Sequence, residues 1–283
     1  MPRGVTASRP RRVQASGGPA SLTSLVDSVE RRLQPHVLPA RRAFLSGSYA
    51  PTLLHWLGVP VPAIRTVAAD LAKRIADAPP GFIIDLALAL SERDSIEGRQ
   101  VGYELIERRP DALALVHAPT ATRLGRGNDN WASVDAFAMS VTGPAWRLGA
   151  LTDRDLVSWA RSADEWWRRT ALVSAVALNT RSRGGQGDTR RTLLVCRAAV
   201  RGVTPRLGKA LSWALRSLVR HDASAVQQFL TRHGETLPAL VCCEVGRKLT
   251  TSANAGAQPT GRSRSKPGPR APRVGTPRPV RRR

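Results

Sequence analysis

The chain has 283 residues, 42% of them hydrophobic, and a formal net charge of +23. That length and apolar content suit one large core or two modest ones, and no run of 18 apolar residues exists to cross a membrane as a helix. The charge points to a polyanionic partner, nucleic acid first and an anionic membrane second.

Residues 1–20 carry four Arg and no acid, residues 251–283 carry nine Lys or Arg and no acid, and +10 of the charge remains for the body between them. The enrichment is in Arg, with 40 against four Lys, so compositional drift explains part of it. Both ends are rich in Arg, Pro, Ser and Gly without periodicity and bury too little apolar surface to offset chain entropy. Residues 1–20 and 250–283 are therefore expected to be disordered basic arms, either electrostatic or merely solvated, around an ordered body at 21–249. The start of the chain has no apolar run of signal-peptide length. Cys196, Cys242 and Cys243 form neither a disulfide framework nor a Cys-x-x-Cys pair, and free thiols in a reducing cytoplasm are expected.

The body reads as helix throughout. Pro62 opens an apolar pattern that continues to Asp77 with period three and four. Thr152 and Asp155 form a start signal, and Ser162 with Glu165 reads as a capping box opening a helix over Trp166 to Leu178. The Gly-rich basic loop Thr180–Arg191 lacks the Gly-Lys-Ser/Thr ending of a phosphate-cradling nucleotide loop; it reads either as a flexible phosphate contact or as a plain surface loop. Asp222 caps a helix from Ala223 to Leu230, with His233 and Gly234 at its end. No segment alternates at period two, so strands are not expected. Short helices in series, each with one apolar face, suggest an all-α solenoid more than a closed bundle, with an irregular helical domain as the alternative.

Five scattered His make no metal-ligand set and no Gly-x-Ser-x-Gly elbow occurs, so neither a metal nor a cofactor is expected. What stands out is tryptophan beside charge. Trp131 and Asp135 lie four apart on one helix face. Trp166 and Arg169 share another, opposite an apolar stripe of Trp167, Ala171, Ser174 and Leu178. Lys209, Trp213, Arg216 and Arg220 form a basic face with an aromatic in it, backed by Leu207, Leu211, Ala214, Leu215 and Leu218. Each Trp alone is best read as core packing. Three on charged faces, with one carboxylate among many cations, suggest a DNA groove with aromatic walls and a single acidic point.

Trp131-x-x-x-Asp135, Trp166-x-x-Arg169-Thr-Ala and Lys209-Ala-x-x-Trp213-x-Leu-Arg216, preceded by Tyr49 and Trp56-Leu-Gly-Val-Pro-x-Pro-x-x-Arg65, resemble the bacterial DNA alkylation repair glycosylases built from HEAT-like repeats. One such motif is weak; four in this order over residues 35–248 are specific. The resemblance implies a right-handed α-solenoid of HEAT-like repeats with duplex DNA on its concave face. It implies that Asp135 is the catalytic carboxylate, that Trp131 and Trp213 face the deoxyribose of the lesion, that Arg169 grips the backbone there, and that Tyr49 stands beside them. Arg168, Lys209, Arg216 and Arg220 are expected at the DNA. The implied activity is release of cationic N3- or N7-alkylated purines from double-stranded DNA, without base flipping, by a cytoplasmic, nucleoid-associated monomer. The two basic arms and the Gly-rich loop depart from the family pattern. A non-catalytic binder of duplex, branched or damaged DNA would use the same basic face, and a protein-binding helical scaffold would give the same helical pattern.

Overall fold

Short polar residues ahead of apolar runs set where the helices start. The computed structural model describes residues 21–256, so the expected arm at 1–20 and the tail from 257 onward lie outside the described residues. The chain runs through α1 (Leu22–Leu33), α2 (Pro39–Phe44), α3 (Val61–Arg74), α4 (Pro80–Ser91), α5 (Ile96–Glu107), α6 (Pro110–Leu113), α7 (Ala118–Gly125) and α8 (Trp131–Phe137). It continues through α9 (Gly143–Leu148), α10 (Asp153–Ala160), α11 (Glu165–Asn179), α12 (Thr189–Ala199), α13 (Pro205–Leu218), α14 (Ala223–His233) and α15 (Ala239–Gly256). The fold is all-α. An isolated bridge between His55 and Ser95 ties the segment before α3 to the start of α5, and no strand forms among the described residues.

Thr152 and Asp155 form a full capping box on α10, and Asp222 accepts the Ala225 N–H to cap α14. That helix runs past Leu230 to His233, since nothing interrupts it before Gly234. The start of α11 differs from the expected Ser162–Glu165 box. Asp164 is the cap and accepts the Trp166 N–H at 2.8 Å, while Ser162 accepts the Asp164 N–H at 3.1 Å. A carboxylate next to the helix start suits the positive end of the peptide dipoles better than a hydroxyl two residues back. It also leaves Glu165 free to face α13. The last helix extends to Gly256, beyond the expected boundary at 249.

The helices pack on their neighbours in the chain. One row runs α3, α5, α8, α11, α13, α15, each against the next, with α10 and α12 flanking α11 and with α14 against α13 and α15. From Arg169 to Asn179, α11 is buried throughout. Its small residues admit a close neighbour: a Cβ on Gly143 would lie 2.5 Å from the Ala177 Cβ and 2.9 Å from the Ser174 carbonyl. Trp146 is fully buried and its indole N–H donates to Asp153 at 2.9 Å.

Two π turns interrupt the α pattern. The first covers Leu45–Tyr49 and closes with Ala50 N–H on the Leu45 carbonyl at 3.0 Å. The second, Ala138–Thr142, joins α8 to α9. Such turns are frequent at functional sites, and these fall at Tyr49 and just after Asp135. The Gly-rich stretch is not a free loop. Arg183 is paired with Glu107, Gly185 N–H donates to Thr180 at 3.0 Å, and Gly187 N–H donates to Leu178 at 3.1 Å. The sequence shows the glycines, but not the carboxylate and carbonyls that hold them.

Candidate active site

The loop before α8 ends on Asn130, whose side-chain oxygen accepts the Ala132 and Ser133 N–H groups at 3.0 Å each. This cap fixes Trp131 as the first helical residue and sets Asp135 one turn later on the same side. Arg169, one turn into α11, meets Asp135 edge to edge: Nε donates to Oδ1 at 2.8 Å and Nη2 to Oδ2 at 2.7 Å. A third donor, Nη1, reaches the Arg206 carbonyl at 3.1 Å. The Asp135 side chain is 16% exposed and that of Arg169 8%. Burial pushes the Asp135 carboxyl above the usual carboxylate range, and the hydrogen bonds and charge of Arg169 oppose that rise.

The pair sits in a cleft of about 570 Å³ lined by Tyr49, Pro51, Asp129, Trp131, Trp166, Arg206 and Lys209, among others. Trp131 is held in place from two sides. Its indole N–H donates to the Tyr49 carbonyl at 3.0 Å, and its ring meets the Tyr49 ring edge-on with centroids 4.9 Å apart. Phe44 stacks on Tyr49 at 5.1 Å, which carries the aromatic wall outward. Across the cleft stands Trp166, with the Arg206 guanidinium 5.8 Å from its ring centroid.

The structure brings some of the residues expected at the site together and leaves others apart. Tyr49, Trp131, Asp135, Arg169 and Lys209 line one cleft. Trp213 does not; it lies one turn beyond Lys209, half-buried against the core, and Trp166 forms the second aromatic wall instead. Arg168 has a different task from the expected DNA contact. Its Nη1 donates to the Gly202 carbonyl at 2.9 Å and its Nη2 to the Ala199 carbonyl at 3.1 Å, with Arg201 also in reach. It therefore caps the end of α12, and those donors are not available to a phosphate. Arg216 pairs with Glu244 of α15 at 3.5 Å, and Arg220 is exposed just past the end of α13.

Arg206 and Asp129 were not foreseen. Arg206 was within reach of pattern reasoning, because it lies three residues before Lys209 on the same face. Asp129 makes a second acidic point where one was expected. It takes the Leu53 N–H at 2.6 Å and the Thr52 hydroxyl, latching the turn after Tyr49 onto the α8 loop. Asp129 is thus engaged by the turn after Tyr49 as Asp135 is by Arg169, and both carboxylates line the cleft. Among the described residues no cluster of three or more His, Cys, Asp or Glu converges as a metal would require, and no helix is long and apolar enough to cross a membrane.

The body is all-α, and its cleft sets Arg169, Arg206 and Lys209 with two carboxylates between the indoles of Trp131 and Trp166. A family model described as DNA alkylation repair enzyme matches residues 29–249, a span that includes every residue of the cleft. The chain belongs to the DNA alkylation repair enzyme family. A search of curated proteins returned no match.

Proposed function

We propose that this protein is a DNA glycosylase that releases cationic N3- or N7-alkylated purines from duplex DNA. The observation that carries the reading is Asp135, held bidentately by Arg169 in an open cleft between Trp131 and Trp166. A largely buried ion pair is weak stabilisation for a fold on its own, so a carboxylate kept mostly out of water and aimed by two hydrogen bonds suits a catalytic task. The serial packing of helices supports a HEAT-like solenoid with this cleft on its concave side. Membership of the family supports DNA as the substrate.

An alkylated purine already bears positive charge, so its glycosidic bond breaks without a general acid. As the bond electrons pass to the base nitrogen, the sugar becomes oxocarbenium-like. A carboxylate about 4 Å from that cation contributes roughly 4 kcal/mol at an effective dielectric near 20, about a thousandfold in rate; Arg169 offsets part of it. Indole faces add cation–π attraction, and the free edge of Asp135 positions the attacking water. Contact is with the sugar and backbone, so the base need not leave the stack. The lability of the bond itself selects the lesion. The enzyme acts as a monomer on double-stranded DNA at the nucleoid.

The direct test is free base released from N7-methylguanine duplex DNA under single-turnover conditions. Release at the uncatalysed rate, with duplex binding intact, would leave a non-catalytic DNA binder. Two further results are expected. Affinity for undamaged duplex should fall with salt with a log–log slope of about −5 to −9, for about 6–10 phosphates; a slope flatter than about −2 speaks against a duplex groove. Base release should fall on acidification. The ionised Asp135 is the active form and burial raises its pKa, so protonation begins at higher pH than for an ordinary aspartate, near 3.9. A pH profile flat down to about pH 4 would remove Asp135 from the reaction.

A further inference from the structure

The resemblance casts Arg169 as the grip on the phosphate at the lesion, yet the geometry assigns much of its guanidinium elsewhere. Of the five N–H donors that a guanidinium carries, Nε and one each on Nη1 and Nη2 are spent on Asp135 and on the Arg206 carbonyl. The side chain is 8% exposed. A group so enclosed orients the carboxylate and balances its charge, and leaves little of its fork for a backbone phosphate.

Arg206 has the opposite character. Its side chain is 68% exposed, and its closest acid, Glu165, stands 3.8 Å away. Glu165 is itself engaged by the Thr204 hydroxyl. The guanidinium lies over the Trp166 ring at 5.8 Å, so an indole that walls the cleft also steadies the cation at its rim. A cation–π contact at this range favours the guanidinium beside the indole and takes up none of its N–H donors, which stay open to the two-pronged recognition of a phosphate. Lys209 lies one turn further along the same helix and lines the same cleft.

We propose that Arg206, steadied by Trp166 and seconded by Lys209, is the phosphate clamp of the cleft, and that Arg169 is a positioning residue for Asp135. The proposal rests on the reading that the cleft receives duplex DNA. It divides between two arginines the roles of grip and alignment, and it makes Trp166 a support for the clamp as well as a wall for the sugar.

The test is clean because Arg169 uses the backbone carbonyl of Arg206, which survives any side-chain change. Arg206→Ala should fold normally, weaken binding to undamaged duplex by about 3- to 10-fold near 0.1 M salt, and flatten the log–log salt slope by about 1. Its pH midpoint for base release should match the wild type, because the Asp135–Arg169 pair is untouched. Arg206→Lys should recover the slope and part of the affinity. Arg169→Lys should do the reverse, moving the pH midpoint while keeping the slope. An Arg206→Ala protein with wild-type affinity and slope overturns the clamp, as does a slope lost in Arg169→Lys instead. Binding to undamaged duplex is read without any excision, so a wild-type protein that releases no base would sink the glycosylase reading separately.

Discussion

Glu97→Ala is expected to destabilise the protein by about 3–5 kcal/mol, the range for stripping a buried charged acceptor from its partners. Glu97 has no exposed surface. Its carboxylate takes three consecutive backbone donors: Leu57 N–H at 2.9 Å, Gly58 N–H at 2.7 Å and Val59 N–H at 3.1 Å. Three successive amides converge on one anion only if the chain bends sharply, and Gly58 supplies the bend with φ of +87°. A Cβ there would also lie 2.7 Å from the Leu38 carbonyl and 2.8 Å from the Arg42 nitrogen. The Leu57-Gly58-Val59 segment thus has a physical reason for Gly58, and removing Glu97 leaves two buried amides and one part-buried amide without this acceptor. Thermal melting should fall by about 10 °C or more, while Glu97→Gln, which keeps a carbonyl oxygen, should fall less. A Glu97→Ala melting point within two degrees of wild type would mean that this anchor is not holding the segment. Because Phe44, at the end of α2, and Tyr49, in the π turn after it, lead into this anchored segment, base release should drop at temperatures where the variant is still folded.

The helices and the heart of the cleft were legible because both follow from local spacing. Thr152 and Asp222 sit where helix starts need side-chain acceptors, and four-residue spacing puts Trp131 and Asp135 on one face whatever lies around them. What one helix does not show is its surroundings. Trp213 shares a face with Lys209 on a helical wheel, but neighbouring helices decide where that face turns inward, and α15 with its Glu244 meets it at Arg216. Arg168 and Arg169 are adjacent and chemically alike; only the position of the carbonyl end of α12 makes one a cap and the other a partner for Asp135. Glu97 reads as an ordinary acid near a helix start, since nothing local announces that three amides from residues 57–59 will close on it. Asp129 is invisible for the same reason. Trp166 was seen on the face of Arg169, and extending the Lys209 face back by one turn would have added Arg206. The Gly-rich stretch looked loose because glycine freedom is local while its tethers, Glu107 and the end of α11, are not.

Asp135→Asn is expected to lower single-turnover release from N7-methylguanine DNA by about 2–4 kcal/mol of transition-state stabilisation, or about 30- to 1,000-fold. Stability alone does not discriminate here, because the pair with Arg169 gives Asp135 a structural part in any case. Asn keeps one oxygen for the guanidinium but turns an amide donor toward the other N–H, so a loss of about 1–3 kcal/mol in folding is expected whether or not the residue is catalytic. The discriminating measurements are made on the folded variant with bound substrate. If Asp135 only balances Arg169, saturated release stays near wild type. If it stabilises the sugar cation, release falls while affinity for undamaged duplex holds or tightens, since a negative group facing phosphates has been removed. The residual activity carries a further sign: the acid-side fall of the wild type comes from protonating this carboxyl, so the rate that remains in Asp135→Asn should no longer decline across that range. A variant as slow as expected but with the wild-type acid limb intact would place the titrating group elsewhere in the cleft.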